Sequence, residues 1–75
     1  MHINEVLSND VTDHITHHAF WKDNGQWSLD LFAGQPAERF ATMPITDEEH
    51  DWLKQVNPFT IKHFVANNMD RVKAV

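Results

Sequence analysis

Three of the six histidines in this chain lie close together, at positions 14, 17 and 18. On a helix, His14 and His18 would share one face and could chelate zinc or nickel, since imidazole binds both metals. On a strand, the same two side chains would lie about 13 Å apart, which is too far for one ion. The sequence has no HExxH motif and no second group of ligands. We therefore expect solvated or packed imidazoles, with a metal-binding or pH-responsive function at His14 and His18 as an alternative.

A second group of titratable residues is the segment TDEEHD, residues 46–51. Its four carboxylates and one histidine could bind a divalent cation or act as acid and base. The same residues also form a helix start, because Thr46 is a strong N-cap and Glu49 completes a capping box with it. The sequence has no glycine-rich phosphate loop and no nucleophile motif. We therefore expect no catalytic site and no cofactor, and we interpret the chain as a binding protein rather than an enzyme.

The length and composition predict one small folded unit, here residues 1–75. The three tryptophans and five phenylalanines provide bulky side chains for a core. Because the chain has no cysteine, neither disulfides nor thiolate-bound zinc can stabilise it. No segment approaches the roughly 20 apolar residues of a membrane span, and the first residues lack the pattern of a signal peptide. We therefore expect a cytoplasmic protein.

Charge is distributed unevenly along the chain, whose net charge is −5. Residues 1–51 contain ten acidic and two basic residues, which gives −8, whereas residues 52–75 contain one acidic and four basic residues, which gives +3. An acidic protein is poorly suited to binding phosphates, so general nucleic-acid binding is disfavoured. The alternative is a nucleic-acid-associated regulator that uses the basic end, where Lys62 and Lys73 would share one face of a continuous helix. The cations of this alternative site are Lys54, Lys62, Arg71 and Lys73.

The segment around Asn24 and Gly25 predicts a β-hairpin, because both residues tolerate positive φ and strand-like runs flank them. Two registers are open. A two-residue loop divides the apolar side chains almost evenly between the two faces of the hairpin. A three-residue loop that also includes Asp23 places most of them on one face. Since register is set where one face is buried, we choose the three-residue loop.

This register has consequences for the aromatic side chains of the hairpin. Trp21 and Trp27 would lie together on the buried face and form part of the core. Phe20 and Phe32 would be two isolated aromatics on the opposite, polar face. If that face is open, these two phenylalanines are the best candidates for anchors in a protein interface.

The C-terminal half predicts helices. In the first helix, Trp52, Leu53 and Val56 form the inward stripe. Asn57 and the proline after it predict the cap and first position of a second helix. Two consecutive asparagines at 67 and 68 lower the helix propensity in the middle of that second helix.

Together these elements predict an α+β fold. Its three-stranded antiparallel sheet comprises the hairpin 14–33 and a strand at 39–45, whose end Pro44 places at a sheet edge. Two C-terminal helices, 47–56 and 58–73, pack on the sheet. For the N-terminus we favour a short helix near 2–8 followed by a strand from about 14 to 22. One continuous helix over 3–18 is the alternative.

The acidic surface is the feature that most directly indicates a function. We expect a small acidic protein-interaction domain that binds a basic surface of a host protein complex, including a surface that normally holds nucleic acid. By analogy of size and charge, a regulatory or inhibitory role of the kind found in phage or mobile-element proteins is favoured, and a homodimer is a further alternative. The residues predicted to contact the partner are Phe20, Asp23, Asp30, Phe32, Glu38, Asp47, Glu48 and Asp51.

Overall fold

The structure, a computed structural model, describes residues 12–75 and contains an antiparallel sheet of four strands. The predicted α+β class is confirmed, with one strand more than expected. The predicted helix near 2–8 lies outside the described residues, and the first strand begins at 17 instead of 14. In the order β1-β2-β3-β4, the strands are β1 (His17–Asp23), β2 (Gln26–Ala33), β3 (Glu38–Ile45) and β4 (Lys73–Ala74).

Two helices, α1 (Asp47–Leu53) and α2 (Pro58–Ala66), follow β3. The predicted capping box of α1 is present: the hydroxyl of Thr46 accepts a hydrogen bond from the backbone N–H of Glu49, and the carboxylate of Glu49 accepts one from the backbone N–H of Thr46. The side chain of Asn57 caps α2 by accepting a backbone N–H of its first turn. Both helix starts are therefore determined locally, by the residues that the sequence analysis identified.

Both helices end earlier than predicted, the first at Leu53 rather than 56 and the second at Ala66 rather than 73. After α2, the side-chain amide of Asn68 donates a hydrogen bond of 2.8 Å to the carbonyl of Phe64. This bond satisfies a carbonyl of the last turn without a further turn of helix. A short 3-10 turn at Met69–Arg71 follows.

The end of the chain forms a strand where a helix was predicted. In β4, Lys73 pairs with Thr42 and Ala74 pairs with Ala41 of the central sheet. Val72 continues the helical spacing of Ile61 and Val65 in the sequence, and it is buried. It reaches the core from the residue just before β4, so its burial did not require the helix to continue.

The hairpin register differs from the predicted one. Asn24 and Gly25 form a two-residue turn with φ angles of 50° and 80°, and β1 pairs with β2 so that Trp21 lies opposite Ser28. The predicted three-residue loop is therefore wrong. An Asn-Gly pair with positive φ at both positions favours a two-residue turn, and this local preference prevails over the collection of apolar side chains on one face. Consequently, Trp21 and Trp27 lie on opposite faces of the hairpin.

The sheet has two unlike faces. The inner face packs against α1 and α2, whereas neither helix covers the outer face. The buried core comprises Ile15, Leu29, Leu31, Ala41, Met43, Ile45, Leu53, Ile61, Val65 and Val72. The outer face includes the side chains of His17, Ala19, Trp21, Ser28, Asp30, Phe32 and Thr42.

Candidate functional site

Aromatic side chains of the hairpin and α1 pack together at the inner face. The imidazole of His50 stacks on the indole of Trp27, with ring centroids 3.6 Å apart and planes within 6°. Phe20 meets His50 edge-on at 5.0 Å, and His18 meets Phe20 edge-on at 5.5 Å. The ammonium of Lys22 lies 5.4 Å from the centroid of Trp27. This aromatic cluster connects α1 to the hairpin, so Phe20 lies on the inner face and not on the polar face where it was predicted.

The two histidines of the alternative metal site have different environments. His14 is exposed in the turn before β1, whereas His18 is half-buried in β1. Burial lowers the pKa of His18, and the neighbouring His17 lowers it further, so the neutral imidazole is favoured. Within residues 12–75, no group of three or more His, Cys, Asp or Glu side chains is arranged to hold a metal ion.

Asp30 and Phe32, two of the predicted partner contacts, lie on the outer face. Asp30 is only 8% exposed. Its carboxylate accepts a hydrogen bond of 2.7 Å from the hydroxyl of Thr42 and lies 3.5 Å from the guanidinium of Arg39. A buried carboxylate with two partners stabilises the sheet. Because Thr42 and Arg39 already bind this carboxylate, it is not available to a partner protein. Phe32 is half-buried on this face, opposite to the face of Phe20, so the two rings do not form one surface.

The two ends of the sheet carry two further predicted contacts. Asp23 ends β1 beside the hairpin turn, and Glu38 begins β3 at the other end. Both side chains are exposed. Because they are separated by the length of the sheet, they do not form one site with each other.

The outward side of α1 is acidic. Asp47, Glu48 and Asp51 are exposed, as a partner-binding role requires. Trp52 is 48% exposed beside them, and its ring also meets Phe64 with a centroid distance of 6.1 Å. Glu48 lies three positions before Asp51 and four before Trp52, so these side chains share one side of the helix. We name Asp47, Glu48, Asp51 and Trp52 the acidic helix face.

Three exposed aromatic side chains were not found by sequence reasoning. Trp21 is 64%, Trp52 48% and Phe59 75% exposed, although both tryptophans were assigned to the core. For Trp52, the helical spacing contained a signal: His50 and Leu53 are three residues apart and both turn inward, which leaves Trp52 at the border of the inward stripe. For Trp21, the signal was the preference of an Asn-Gly pair for a two-residue turn.

Glu49 differs from its acidic neighbours because it forms a bidentate ion pair with Arg71. The two guanidinium nitrogens donate to the two carboxylate oxygens at 2.6 and 2.9 Å, and one of them also donates to the carbonyl of Pro44 at 2.8 Å. The bond to Arg71, with a further contribution from the backbone N–H of Thr46, lowers the pKa of Glu49 to about 2. This ion pair joins α1 to the segment that precedes β4, so Glu49 has a structural role.

The four cations of the nucleic-acid alternative are not gathered on one surface. Arg71 is engaged in the ion pair with α1, and Lys54 lies 3.6 Å from an exposed carboxylate of the same helix. Lys73 lies in β4 beside the outer face, whereas Lys62 is on α2, which packs on the inner face. The face predicted to be shared by Lys62 and Lys73 required a continuous helix, but α2 ends at Ala66.

A surface depression of about 320 Å³ lies between the hairpin turn and the start of α1. The polar side chains around it include Thr46 and Arg71. The hydroxyl of Thr46 caps α1, and the guanidinium of Arg71 holds Glu49 and a backbone carbonyl. Because these groups already have partners in the fold, we assign no ligand to this depression.

Comparison of the chain with models of protein families, with curated proteins and with solved structures gives no match. In the part of the chain that the structure describes, neither helix has the length and apolar character needed to cross a membrane.

Proposed function

We propose that this chain is a protein-interaction domain without catalytic activity, which binds a basic surface of a partner protein through the acidic helix face. The position of Trp52 is the observation on which this proposal rests. A half-exposed indole lies beside exposed carboxylates on one side of α1. Tryptophan is enriched among the residues that dominate binding energy, and surrounding charge steers a partner of opposite sign.

The carboxylates of the acidic helix face are exposed, whereas two other acids of the chain are held by partners within the fold. Asp30 and Glu49 are engaged in hydrogen bonds and ion pairs within the fold. Glu48 is exposed on α1. The exposed carboxylate of Asp51 lies 3.6 Å from the ammonium of Lys54 in an exposed pair, and 3.3 Å from Nδ1 of His50. Exposed pairs of this kind contribute only about 0–1 kcal/mol, so a basic partner could replace Lys54 at little cost.

Trp52 is a better anchor for such a partner than the two phenylalanines that the sequence indicated. The ring of Phe20 packs against His50, so a partner would have to open the aromatic cluster to reach it fully. Phe32 lies on the outer face beside Asp30, away from the exposed carboxylates of α1. The acidic helix face combines an accessible indole with exposed carboxylates at one place.

A regulatory or inhibitory role belongs to the same proposal. It is supported by the small size of the chain and its net charge of −5. A domain of this kind acts by occupying a basic groove of a host complex, as small phage or mobile-element proteins do. The negative charge of the domain would speed its association with such a groove, and the association rate would then fall as the salt concentration rises.

The test begins with capture of a partner from a lysate of the native host and its identification by mass spectrometry. The purified partner is then titrated with the full chain by calorimetry. We expect Trp52→Ala to weaken binding at least about tenfold, because interface tryptophans often contribute more than 1.4 kcal/mol. We expect the double variant Glu48→Lys with Asp51→Lys to slow association and to reduce its salt dependence.

A matched control separates the acidic helix face from the overall charge. The double variant Asp13→Lys with Glu38→Lys changes the net charge by the same amount at two exposed positions outside α1. It should retain most of the affinity. Equal loss in both double variants, unchanged affinity of Trp52→Ala, or failure to capture any basic protein would each contradict the proposal.

A further inference from the structure

β1 forms one edge of the sheet, and among residues 12–75 no strand lies on its other side. Its pairing with β2 continues without a bulge from His17 to Asp23. Proteins commonly protect such edges with proline, bulges or several charged residues. This strand, HHAFWKD, contains no proline, and its lysine and aspartate both lie at the end beside the hairpin turn. It is therefore a regular edge that another strand can join.

The hairpin turn determines which backbone groups of β1 point outward. Residues that flank a two-residue turn exchange both backbone hydrogen bonds, and bonded and non-bonded positions then alternate along the strand. Asp23 flanks the turn, so Asp23 and Trp21 bond to β2. The backbone N–H and C=O groups of His18, Phe20 and Lys22 then point away from the sheet. These three residues provide the groups that a joining strand would use.

We propose that β1 pairs antiparallel with β1 of a second copy of this chain, around a twofold axis at Phe20. Phe20 of one copy then lies opposite Phe20 of the other, and His18 lies opposite Lys22. All outward backbone groups are used in this register, and all seven residues of the strand are paired. A shift by two residues in either direction leaves two residues of each strand unpaired. The two sheets become one continuous sheet with both pairs of helices on the same face.

The side chains of the outer face fit this register. Ala19 of each copy lies opposite Trp21 of the other, so the contact occurs twice. These are non-hydrogen-bonded positions, where facing side chains approach most closely. Trp21 is 64% exposed in the single chain, and the exposed methyl group of Ala19 leaves room for an indole. Pairing therefore buries two indoles that the fold of one chain leaves in water.

The polar side chains are also complementary. His17 of each copy lies opposite Asp23 of the other, and its Nδ1 contacts the hydroxyl of Thr16 at 3.0 Å. When Nδ1 accepts from that hydroxyl, Nε2 carries the proton and can donate to the carboxylate. Lys22 lies opposite His18, whose neutral form is favoured by burial, so no like charges face each other. The complementarity relates the two halves of one strand, as a twofold contact requires. For this reason a second copy fits the edge better than an unrelated strand.

The oligomeric state of the full chain tests the proposal. Sedimentation equilibrium should give twice the chain mass of 8.8 kDa at high concentration. Trp21→Ala should weaken the dimer at least about tenfold. Trp52→Ala, the matched removal of an indole from the acidic helix face, should leave the dimer unchanged. Because Trp21 is largely exposed, we expect its variant to keep the fold, which circular dichroism verifies.

The register can be tested separately, because the chain has no cysteine. His17→Cys and Asp23→Cys would face each other across the dimer with Cα atoms about 4.5 Å apart, a distance that a disulfide can bridge. An oxidised mixture of the two variants should form covalent dimers. Each variant alone should not, since equivalent positions are six residues apart along the strand, about 20 Å.

Two results would overturn the proposal. One is a monomer at every concentration. The other is a dimer that survives Trp21→Ala and gives no mixed disulfide, which would locate the contact on another surface. The proposal does not depend on the acidic helix face, so loss of partner binding in Trp52→Ala and loss of the dimer in Trp21→Ala are distinguishable outcomes.

Discussion

The two tryptophans of the hairpin differ in how the domain uses them. Trp27 stacks on His50 at the inner face, and Lys22 lies over its ring. Trp21, six residues earlier, is on the outer face and is 64% exposed. The indole of Trp27 is therefore packed within the fold, whereas the indole of Trp21 is left largely in contact with water.

The same contrast separates the acidic residues. Asp30 and Glu49 are held by hydrogen bonds and ion pairs within the protein, whereas Asp23 and Glu48 are exposed. A domain of this size has few large side chains available for its core. Aromatic residues that it nevertheless leaves exposed therefore indicate candidate interaction surfaces. We therefore attribute a structural role to Trp27, Asp30 and Glu49, and we propose that exposed residues contribute to binding.

The largest expected difference in stability is between the alanine variants of the two tryptophans of the hairpin. Trp27→Ala should lower the free energy of unfolding by about 3 kcal/mol, because it removes a ring that is packed between the hairpin and α1. Trp21→Ala should change it by less than about 0.5 kcal/mol. Urea unfolding, at a concentration low enough to keep both variants monomeric, measures both values. Similar losses in the two variants would abolish the distinction between the faces.

The next effect concerns two adjacent acids on α1. Glu49→Ala should cost about 2 kcal/mol, because it removes the ion pair with Arg71 and half of the capping box. Glu48→Ala should cost less than about 0.5 kcal/mol, since its side chain is exposed. Glu49→Gln should fall between them, because glutamine can keep the capping bond to Thr46 but not the charge. Equal stability of the Glu48 and Glu49 variants would show that the ion pair contributes nothing.

The pH dependence of Glu49 gives a further expectation. Its pKa in the folded protein is about 2, below the ordinary value of 4.5. The ionised carboxylate therefore stabilises the fold above pH 4.5, and this stabilisation is lost as the pH falls from 4.5 towards 2. The difference in stability between the wild type and Glu49→Ala should shrink over that range. A constant difference in acid unfolding curves would contradict the assigned role.

A smaller difference in stability is expected between the alanine variants of Asp30 and Asp23. Asp30→Ala should lower the free energy of unfolding by about 1.5 kcal/mol, because the hydroxyl of Thr42 and the guanidinium of Arg39 lose their common partner. Asp23→Ala, at the exposed end of β1, should change the stability of the monomer by less than about 0.5 kcal/mol. Thermal unfolding of the two variants provides the comparison. If Asp23→Ala is the more damaging change, the outer face does not depend on the Asp30 contacts.

The features that the sequence predicted well are those determined by neighbouring residues. The capping box needs only Thr46 and Glu49, and the second helix start needs only Asn57 and the proline after it. The hairpin was identified from the Asn24-Gly25 pair for the same reason. Its register was not, because the choice assumed that most apolar side chains of the hairpin, including both tryptophans, share one buried face. Trp21 violates that assumption.

The C-terminal segment shows a second limit of structure prediction from the sequence. Helical spacing of apolar residues continues to Val72, but the same residues are also buried when the chain leaves the helix at Ala66 and returns to the sheet. Periodicity does not distinguish these two routes to the core. The side-chain bond from Asn68 to Phe64 and the pairing of β4 with β3 decide between them, and the second is a contact between residues far apart in sequence. The bidentate partner of Glu49 was not predicted for the same reason.

The smallest expected effect is on the pH dependence of stability and concerns His18, which is half-buried in β1 beside the aromatic cluster. Its pKa in the folded protein lies below the ordinary value of 6.5, because burial disfavours the charged imidazole and His17 repels it. The unfolded chain therefore binds the proton first, so His18 lowers stability as the pH falls below 6.5, until the folded protein is protonated as well. His18→Gln should flatten this part of the stability curve, measured by urea midpoints on both sides of pH 6.5. His63→Gln, at an exposed position of α2, controls for the loss of an imidazole. An unchanged curve in His18→Gln would mean that the aromatic cluster does not shield this ring from water.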